Sequence, residues 1–311
     1  MKPKATVVEI GPRDGFQNVK DFIPTEFKLE TIDGLVRSGF KKIQCTSFVS
    51  PKHIAQMRDA KEIVQTIMPK YPGVDFFALV PNFRGAEAAV DAGIKEVTPV
   101  MSLSLSHNKA NVNRTHEQSL EEFARMRNEF PDLILTPDIA TVFGCPFEGK
   151  MSIPPLIDLM GKIIEIGIGG LTLCDTIGVA YPAQIREVMQ AARTHYPDCK
   201  INLHIHDTRN MGIINSYEGV RCGADSIQAS IGGLGGCPFA PGATGNTATE
   251  DLVYLLECEG YDTGIDQAIL LDTAKTLYNR VSGNYSGHHI AISTCHDDFT
   301  CGSKPLAAAG C

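Results

Sequence analysis

Lys200-Ile201-Asn202-Leu203-His204-Ile205-His206-Asp207 is a short aliphatic run that closes on polar residues, the pattern of a buried strand that ends in a loop. Runs of the same kind recur at Thr6–Asp14, Lys42–Phe48, Val74–Pro81, Glu96–Ser104, Leu133–Thr141, Gly170–Thr176 and Ser226–Ile231. Helical patterns lie between them. Phe27, Ile32, Leu35 and Val36 share one face, which Gly39 terminates. Ile157, Met160, Ile163 and Ile164 repeat the pattern, as do Ile185, Val188, Met189 and Ala192. Eight strand–helix units in series predict an α/β fold: a (β/α)8 TIM barrel with its active site at the C-terminal ends of the strands. The alternative is an open doubly wound sheet. No Gly-x-Gly-x-x-Gly follows the first strand, which weakens a dinucleotide-binding reading.

The 311 residues are 43% hydrophobic, enough for a large core, and barrels of this class often run as one unit over such a length. Residues 1–290 are expected to form the catalytic barrel, including a glycine-rich loop at 232–246, with 291–311 as a short, flexible C-terminal extension ending Ala307-Ala308-Ala309-Gly310-Cys311. A net charge of −8 argues against nucleic acid or an anionic membrane as partner. No apolar run reaches transmembrane length, and Met1-Lys2-Pro3-Lys4-Ala5 enters a strand without a leader pattern, so a cytoplasmic location is expected. The ten cysteines are scattered without CxxC pairs, as small buried hydrophobes in a reducing compartment would be. Cys295, Cys301 and Cys311 are the ones expected to be exposed.

In a barrel the chemically interesting side chains should fall at strand ends. Arg13 and Asp14 close the first strand, Gln44 and Ser47 the second, Asp175 the sixth, His204 and His206 the seventh, and Asn246 follows the eighth. Histidines at i and i+2 on a strand point to one face, so both imidazoles can reach one ion. With Asp14 and Asn246 they make an N2O2 set that leaves two positions of an octahedron open, which suits Mg2+ or Mn2+. Alone, a His-x-His pair can equally be a hydrogen-bonded core feature. Arg13 beside Asp14 reads either as a surface ion pair or, in a barrel mouth, as a guanidinium that stabilises an oxyanion. Gly232-Gly233-Leu234-Gly235-Gly236-Cys237-Pro238 has little backbone restriction and carries a thiol with little to pack against, as a mobile lid delivering a reactive side chain would.

Together these motifs resemble the 3-hydroxy-3-methylglutaryl-CoA lyase family, metal-dependent TIM-barrel lyases related to isopropylmalate synthase. The resemblance runs through Gly11-Pro12-Arg13-Asp14-Gly15-Phe16-Gln17-Asn18, Thr46-Ser47-Phe48-Val49-Ser50-Pro51-Lys52, Gly144-Cys145-Pro146-Phe147-Glu148-Gly149-Lys150 and Asp175-Thr176-Ile177-Gly178. It continues through His204-Ile205-His206-Asp207-Thr208, the Cys237 loop, and Gly245-Asn246-Thr247-Ala248-Thr249-Glu250-Asp251-Leu252-Val253. It implies Asp14, His204, His206 and Asn246 as metal ligands, Arg13 as the group holding a thioester enolate, and Cys237 as a lid thiol in proton transfer. The implied reaction is retro-Claisen cleavage of a 3-hydroxyacyl-CoA to acetyl-CoA and a ketone or keto acid, with Asp14 or His204 as base. A homodimer is expected on the same ground.

Four positions depart from the family pattern. Gln44 stands where the family has glutamate, Leu105 where an acidic residue is usual, Asp138 where a tyrosine is, and Thr172 where many members have serine. Gln44, Ser47, Asp138, Thr172 and Asp175, with Arg13, are therefore the expected substrate-binding positions, and the departures suggest a modified acyl pocket. Asn108, Lys109, Asn111 and Asn113 are either nucleotide contacts or a plain polar loop. Two other functions compete: a Claisen-type synthase joining acetyl-CoA to a 2-keto acid, and a non-catalytic metal-binding relic. Synthases generally carry extra sequence and lack the Gly-Gly-Cys-Pro loop, and a relic has no need for Arg13 and Cys237.

Overall fold

A computed structural model describes residues 2–236 and 245–292. Cys237, Cys295, Cys301 and Cys311 lie outside them. Among the described residues, nine strands form one parallel sheet: β1 (Val7–Glu9), β2 (Lys42–Ser47), β3 (Asp75–Val80), β4 (Glu96–Ser102), β5 (Ile134–Leu135), β6 (Asp138–Ala140), β7 (Gly170–Asp175), β8 (Lys200–Ile205) and β9 (Ser226–Ala229). β3 pairs with both β2 and β4, and β1 with both β2 and β9, so the sheet closes on itself. β5 and β6 both pair with β4 and occupy one barrel position. The result is the eight-position (β/α)8 TIM barrel.

Ten helices surround it: α1 (Thr25–Arg37), α2 (Ala60–Lys70), α3 (Phe83–Ala92), α4 (Leu105–Val112), α5 (His116–Glu129), α6 (Ile153–Glu165), α7 (Pro182–His195), α8 (Gly212–Arg221), α9 (Thr249–Cys258) and α10 (Gln267–Arg280), counted among the described residues. None is long and apolar enough to cross a membrane.

The strands alternate by face. Ile43, Ile139, Leu171, Leu173, Ile201, Leu203 and Ile227 pack outward against helix residues such as Leu35, Ile63, Met126, Ile163, Met189 and Leu256 in one continuous core. Their neighbours therefore point inward, and near the C-terminal ends those neighbours are polar: Gln44, Asp138, Thr172, His204 and Gln228. Val8, Ile10 and Phe77 form a separate small cluster on the same inward side. An irregularity between Gln44 and Thr46 turns Thr46 outward to Met57. That bulge lets Gln44 and Ser47, three apart, share the inner face.

The strands expected from the sequence are trimmed at their ends in the structure, and two are cut back furthest. The first ends at Glu9, and Gly11–Gly15 winds into a single π-type turn in which the Arg13 and Asp14 amides both return to the Ile10 carbonyl. The fifth is broken, because Pro137 has no N–H to give to the ladder. Thr136 N bonds Val97 O and Pro137 O accepts from Thr172 N on either side of the break.

Candidate active site

The turn after β1 is wound tightly enough that a Cβ on Gly11 would lie 2.7 Å from both Glu9 Oε1 and Ile231 Cγ2. Glu9, fully buried, fixes this corner: Oε1 accepts from Gly11 N (2.7 Å) and Ile231 N (2.9 Å), and Oε2 accepts from Thr249 Oγ1 (2.7 Å). Arg13 and Asp14 are thereby aimed into the barrel, both buried. Arg13 Nη1 donates to Asp14 Oδ1, and Arg13 Nε donates to Gln44 Oε1. Asp14 also accepts from Gln17 Nε2 at 2.6 Å and from Asn246 Nδ2 at 2.7 Å.

His204 and His206 present their rings to the same space, with centroids 5.0 Å apart and Nε2 atoms 3.0 Å apart. His204 Nδ1 lies 3.2 Å from Gln228 Oε1, its Cα partner on the next strand. An amide oxygen can only accept, so that nitrogen carries the proton and Nε2 keeps its lone pair toward His206. Asn246 forms an isolated bridge with His206 and donates a second bond to Leu234 O (3.2 Å). Ligand atoms of Asp14, His204 and His206 all lie within 4.8 Å of one another.

The electrostatics suit a cation. Burial alone would raise the Asp14 carboxyl, but Arg13, the two imidazoles and the Asn246 amide hold it below its usual value. Burial, then the neighbouring His206, pushes His204 down to about 3, and burial lowers His206 as well. The site thus presents a carboxylate and two neutral imidazoles, the forms that bind metal. Asn246 Oδ1 is buried with no hydrogen-bond partner, and so is His206 Nδ1. A buried amide oxygen with no donor is costly, and a positive charge would relieve it. These residues fit a divalent ion.

The remaining expected positions divide. Asp138, beside Thr172 across the strand pair, is pushed by burial to about 7 against the pull of Arg13, and its Oδ1 is unpartnered. Thr172 Oγ1 takes a bond from Gln228 Nε2 (3.4 Å), and Ser47 Oγ has no partner. Asp175 is fully buried with both oxygens on backbone, accepting from Val179 N (2.9 Å) and Ala180 N (3.1 Å), so it builds the turn after β7. Asn108 is not a nucleotide contact. It is fully buried and its amide is spent on Ser102 N, Arg114 O, Thr115 O and Ser119 Oγ. Leu105 is exposed at the start of α4.

Sequence reasoning missed Glu9, Gln228 and Glu250. Burial, then the Asp251 charge, pushes the Glu250 carboxyl to about 8, and its Oε2 accepts from Gly232 N at 2.9 Å. A glutamate inside the run Thr6-Val7-Val8-Glu9-Ile10 was the available signal, since a buried carboxyl requires partners.

A closed parallel barrel with a buried carboxylate–bis-histidine centre and an arginine beside it is the frame of a metal-assisted enzyme, and the relatives make it a carbon–carbon lyase. The HMGL-like family model matches residues 4–277. Hydroxymethylglutaryl-CoA lyase of Bacillus subtilis is 42% identical over 280 residues, covering 89% of this chain and 93% of that protein. The mitochondrial hydroxymethylglutaryl-CoA lyase of Gallus gallus is 39% identical over 281 residues, covering 90% and 94%. The solved HMG-CoA lyase of Acinetobacter baumannii, in complex with coenzyme A and 3-methylmalate, superimposes with a TM-score of 0.89 at 36% identity, covering 94% of this chain and 96% of that one. The chain belongs to the HMGL-like family, which is divalent-metal dependent.

Proposed function

We propose that the chain cleaves the C2–C3 bond of 3-hydroxy-3-methylglutaryl-CoA to give acetyl-CoA and acetoacetate, with Mg2+ or Mn2+ at the site. One observation carries the reading: Arg13, Asp14, His204, His206 and Asn246, from three separate parts of the chain, meet at one barrel end with ligand atoms uncompensated. Relatives over nearly the whole length are lyases, which favours cleavage over the synthase and relic readings.

Held by Asp14, His204, His206 and Asn246, a divalent ion supplies Lewis acidity that lowers the pKa of the substrate's 3-hydroxyl. Asp14, kept ionised, is the candidate acceptor of that proton; His204, with Nδ1 protonated against Gln228 and Nε2 directed to the ion, has no lone pair left for it. Arg13 offers guanidinium N–H donors to the thioester oxygen, where negative charge develops as the enolate forms. Gln228 fixes His204 in one tautomer and so keeps Nε2 directed inward. Cys237 keeps the role of proton donor to the enolate carbon that the resemblance assigns. Gln44, Ser47, Asp138 and Thr172 line the space left for the acyl group. Residues 1–290 act as one catalytic unit with 291–311 as an extension, in a cytoplasmic homodimer.

The test is acetyl-CoA release from 3-hydroxy-3-methylglutaryl-CoA with Mg2+ or Mn2+ and with EDTA. Metal-dependent release, lost in Arg13→Ala, is expected; no release from folded, metal-loaded protein overturns the reading. A second reading, that the acyl group differs, draws on Gln44 Nε2 and Asp138 Oδ1, both buried and unpartnered. Gln44→Glu decides it: unchanged activity on this substrate removes Gln44 as a specificity element.

A further inference from the structure

The chain does not leave the site when α10 ends. Residues 281–287 return across the base of the glycine-rich loop. Gly287 N donates to Gly232 O at 3.0 Å. Ser286 Oγ donates to the backbone oxygen of Asn246 at 2.7 Å. The approach is close: a Cβ on Gly232 would come within 2.8 Å of the Tyr285 ring, and one on Gly233 within 1.9 Å of Ser286 Oγ. Both glycines have positive φ, 68° and 65°. Gly287 faces the same constraint from the other side, since a Cβ there would lie 2.4 Å from Glu250 Oε1.

A clasp on α9 holds this segment. Asp251 accepts from His288 N (2.7 Å), His289 N (3.0 Å) and His289 Nδ1 (2.7 Å), with His288 Nδ1 at 3.2 Å. Burial alone would raise the Asp251 carboxyl, but these bonds, led by the His289 ring, hold it below its usual value. Four contacts on one carboxylate fix the backbone immediately after Ser286 and Gly287.

Asn246 is therefore gripped at two points. Its side chain is turned by Leu234 O and Asp14, and its carbonyl is held by Ser286. We propose that Ser286 is a positioning residue for the metal ligand Asn246, and that Asp251 sets Ser286 in place by clasping the two residues beyond Gly287. The proposal rests on the metal reading of the site. A ligand oxygen displaced by a few tenths of an ångström loses much of its contribution, as mutations in the shell behind metal ligands show.

Mn2+ affinity, read by electron paramagnetic resonance on the full chain, tests this apart from turnover. Ser286→Ala is expected to raise the dissociation constant about fivefold, the loss of one ordinary hydrogen bond, with thermal stability close to wild type. Ser286→Cys, similar in shape and a weak donor, should match it, and Ser286→Thr, which keeps the hydroxyl, should restore binding. Lys275→Ala removes a bond to Ile292 O at the far end of the same segment and should change nothing. Wild-type Mn2+ affinity in both Ser286→Ala and Ser286→Cys overturns the proposal alone. So does equal weakening in Lys275→Ala, which would mean that the segment merely packs. If the wild-type chain binds no Mn2+, the metal reading falls and takes the proposal with it.

Discussion

Replacing Glu9 by glutamine should stabilise the protein at alkaline pH and do little at acid pH. In the folded chain burial pushes the Glu9 carboxyl from the usual 4.5 to about 7, outweighing bonds from Thr249, Gly11 and Ile231. Between those values the folded chain holds a proton that the unfolded chain has released, so stability falls as pH rises. Below 4.5 both states are protonated and the effect vanishes; above 7 it is complete, at about 3 kcal/mol for 1.36 kcal/mol per pH unit. Glutamine carries no charge at any of these pH values. Its oxygen can accept from Gly11 N and Ile231 N as Oε1 does, and its NH2 can donate to Thr249 Oγ1 once that hydroxyl rotates. Thermal unfolding of metal-free wild type and Glu9→Gln at pH 5 and pH 8 measures the gap between them. It should widen in favour of the variant by about 2–3 kcal/mol, or roughly 3–5 °C in Tm. A gap of the same size at both pH values would show that Glu9 is ionised throughout and that its three donors are sufficient to hold the charge.

Three further outcomes are expected. Gln228→Leu removes the acceptor that fixes the His204 tautomer, and metal affinity should fall about 10–100-fold, measured by Mn2+ titration, with the fold intact by circular dichroism. Lys28→Ala leaves Asp59 buried without the ammonium that sits 2.9 Å from both its oxygens. That should cost about 3–5 kcal/mol in chemical denaturation, and a loss below 1 kcal/mol would mean that water reaches Asp59. Gly212→Ala places a methyl 2.5 Å from Thr247 Oγ1 and 2.8 Å from Asp207 Oδ1. A loss of about 1–3 kcal/mol is expected from the overpacking, read as a lowered Tm.

The barrel was legible because its outer face is written in aliphatic residues at period two, and the meeting of His204 and His206 because they keep that period at a strand end. Strand limits were not, since the chain winds into the Gly11–Gly15 turn directly after Ile10 and Pro137 breaks the fifth ladder within an otherwise apolar run. Nor does a sequence tell a carboxylate or amide that meets a ligand from one that turns onto nearby backbone, as Asp175 and Asn108 do. Ser286 was invisible for a different reason. Its partner Asn246 is 40 residues away, and the bond goes to a backbone atom that has no residue-type signal.

The ligands are mounted on supports of very unequal strength. His204 lies on β8, which is paired with β7 at six successive positions from Gly170↔Lys200 to Asp175↔Ile205 and with β9 on its other side. Asn246 lies in no strand: its backbone meets His206 through an isolated bridge, and its other holds are the side-chain bonds to Asp14 and Leu234 O and the Ser286 hydroxyl on its carbonyl. Openings of the native state begin where backbone pairing is sparse, so the Asn246 side of the centre is expected to open before β8 under heat or denaturant. The two imidazoles stay behind on the sheet. Loss of an ion held there and unfolding of the barrel are then expected as separate events, the first leaving undisturbed the strands that carry the imidazoles.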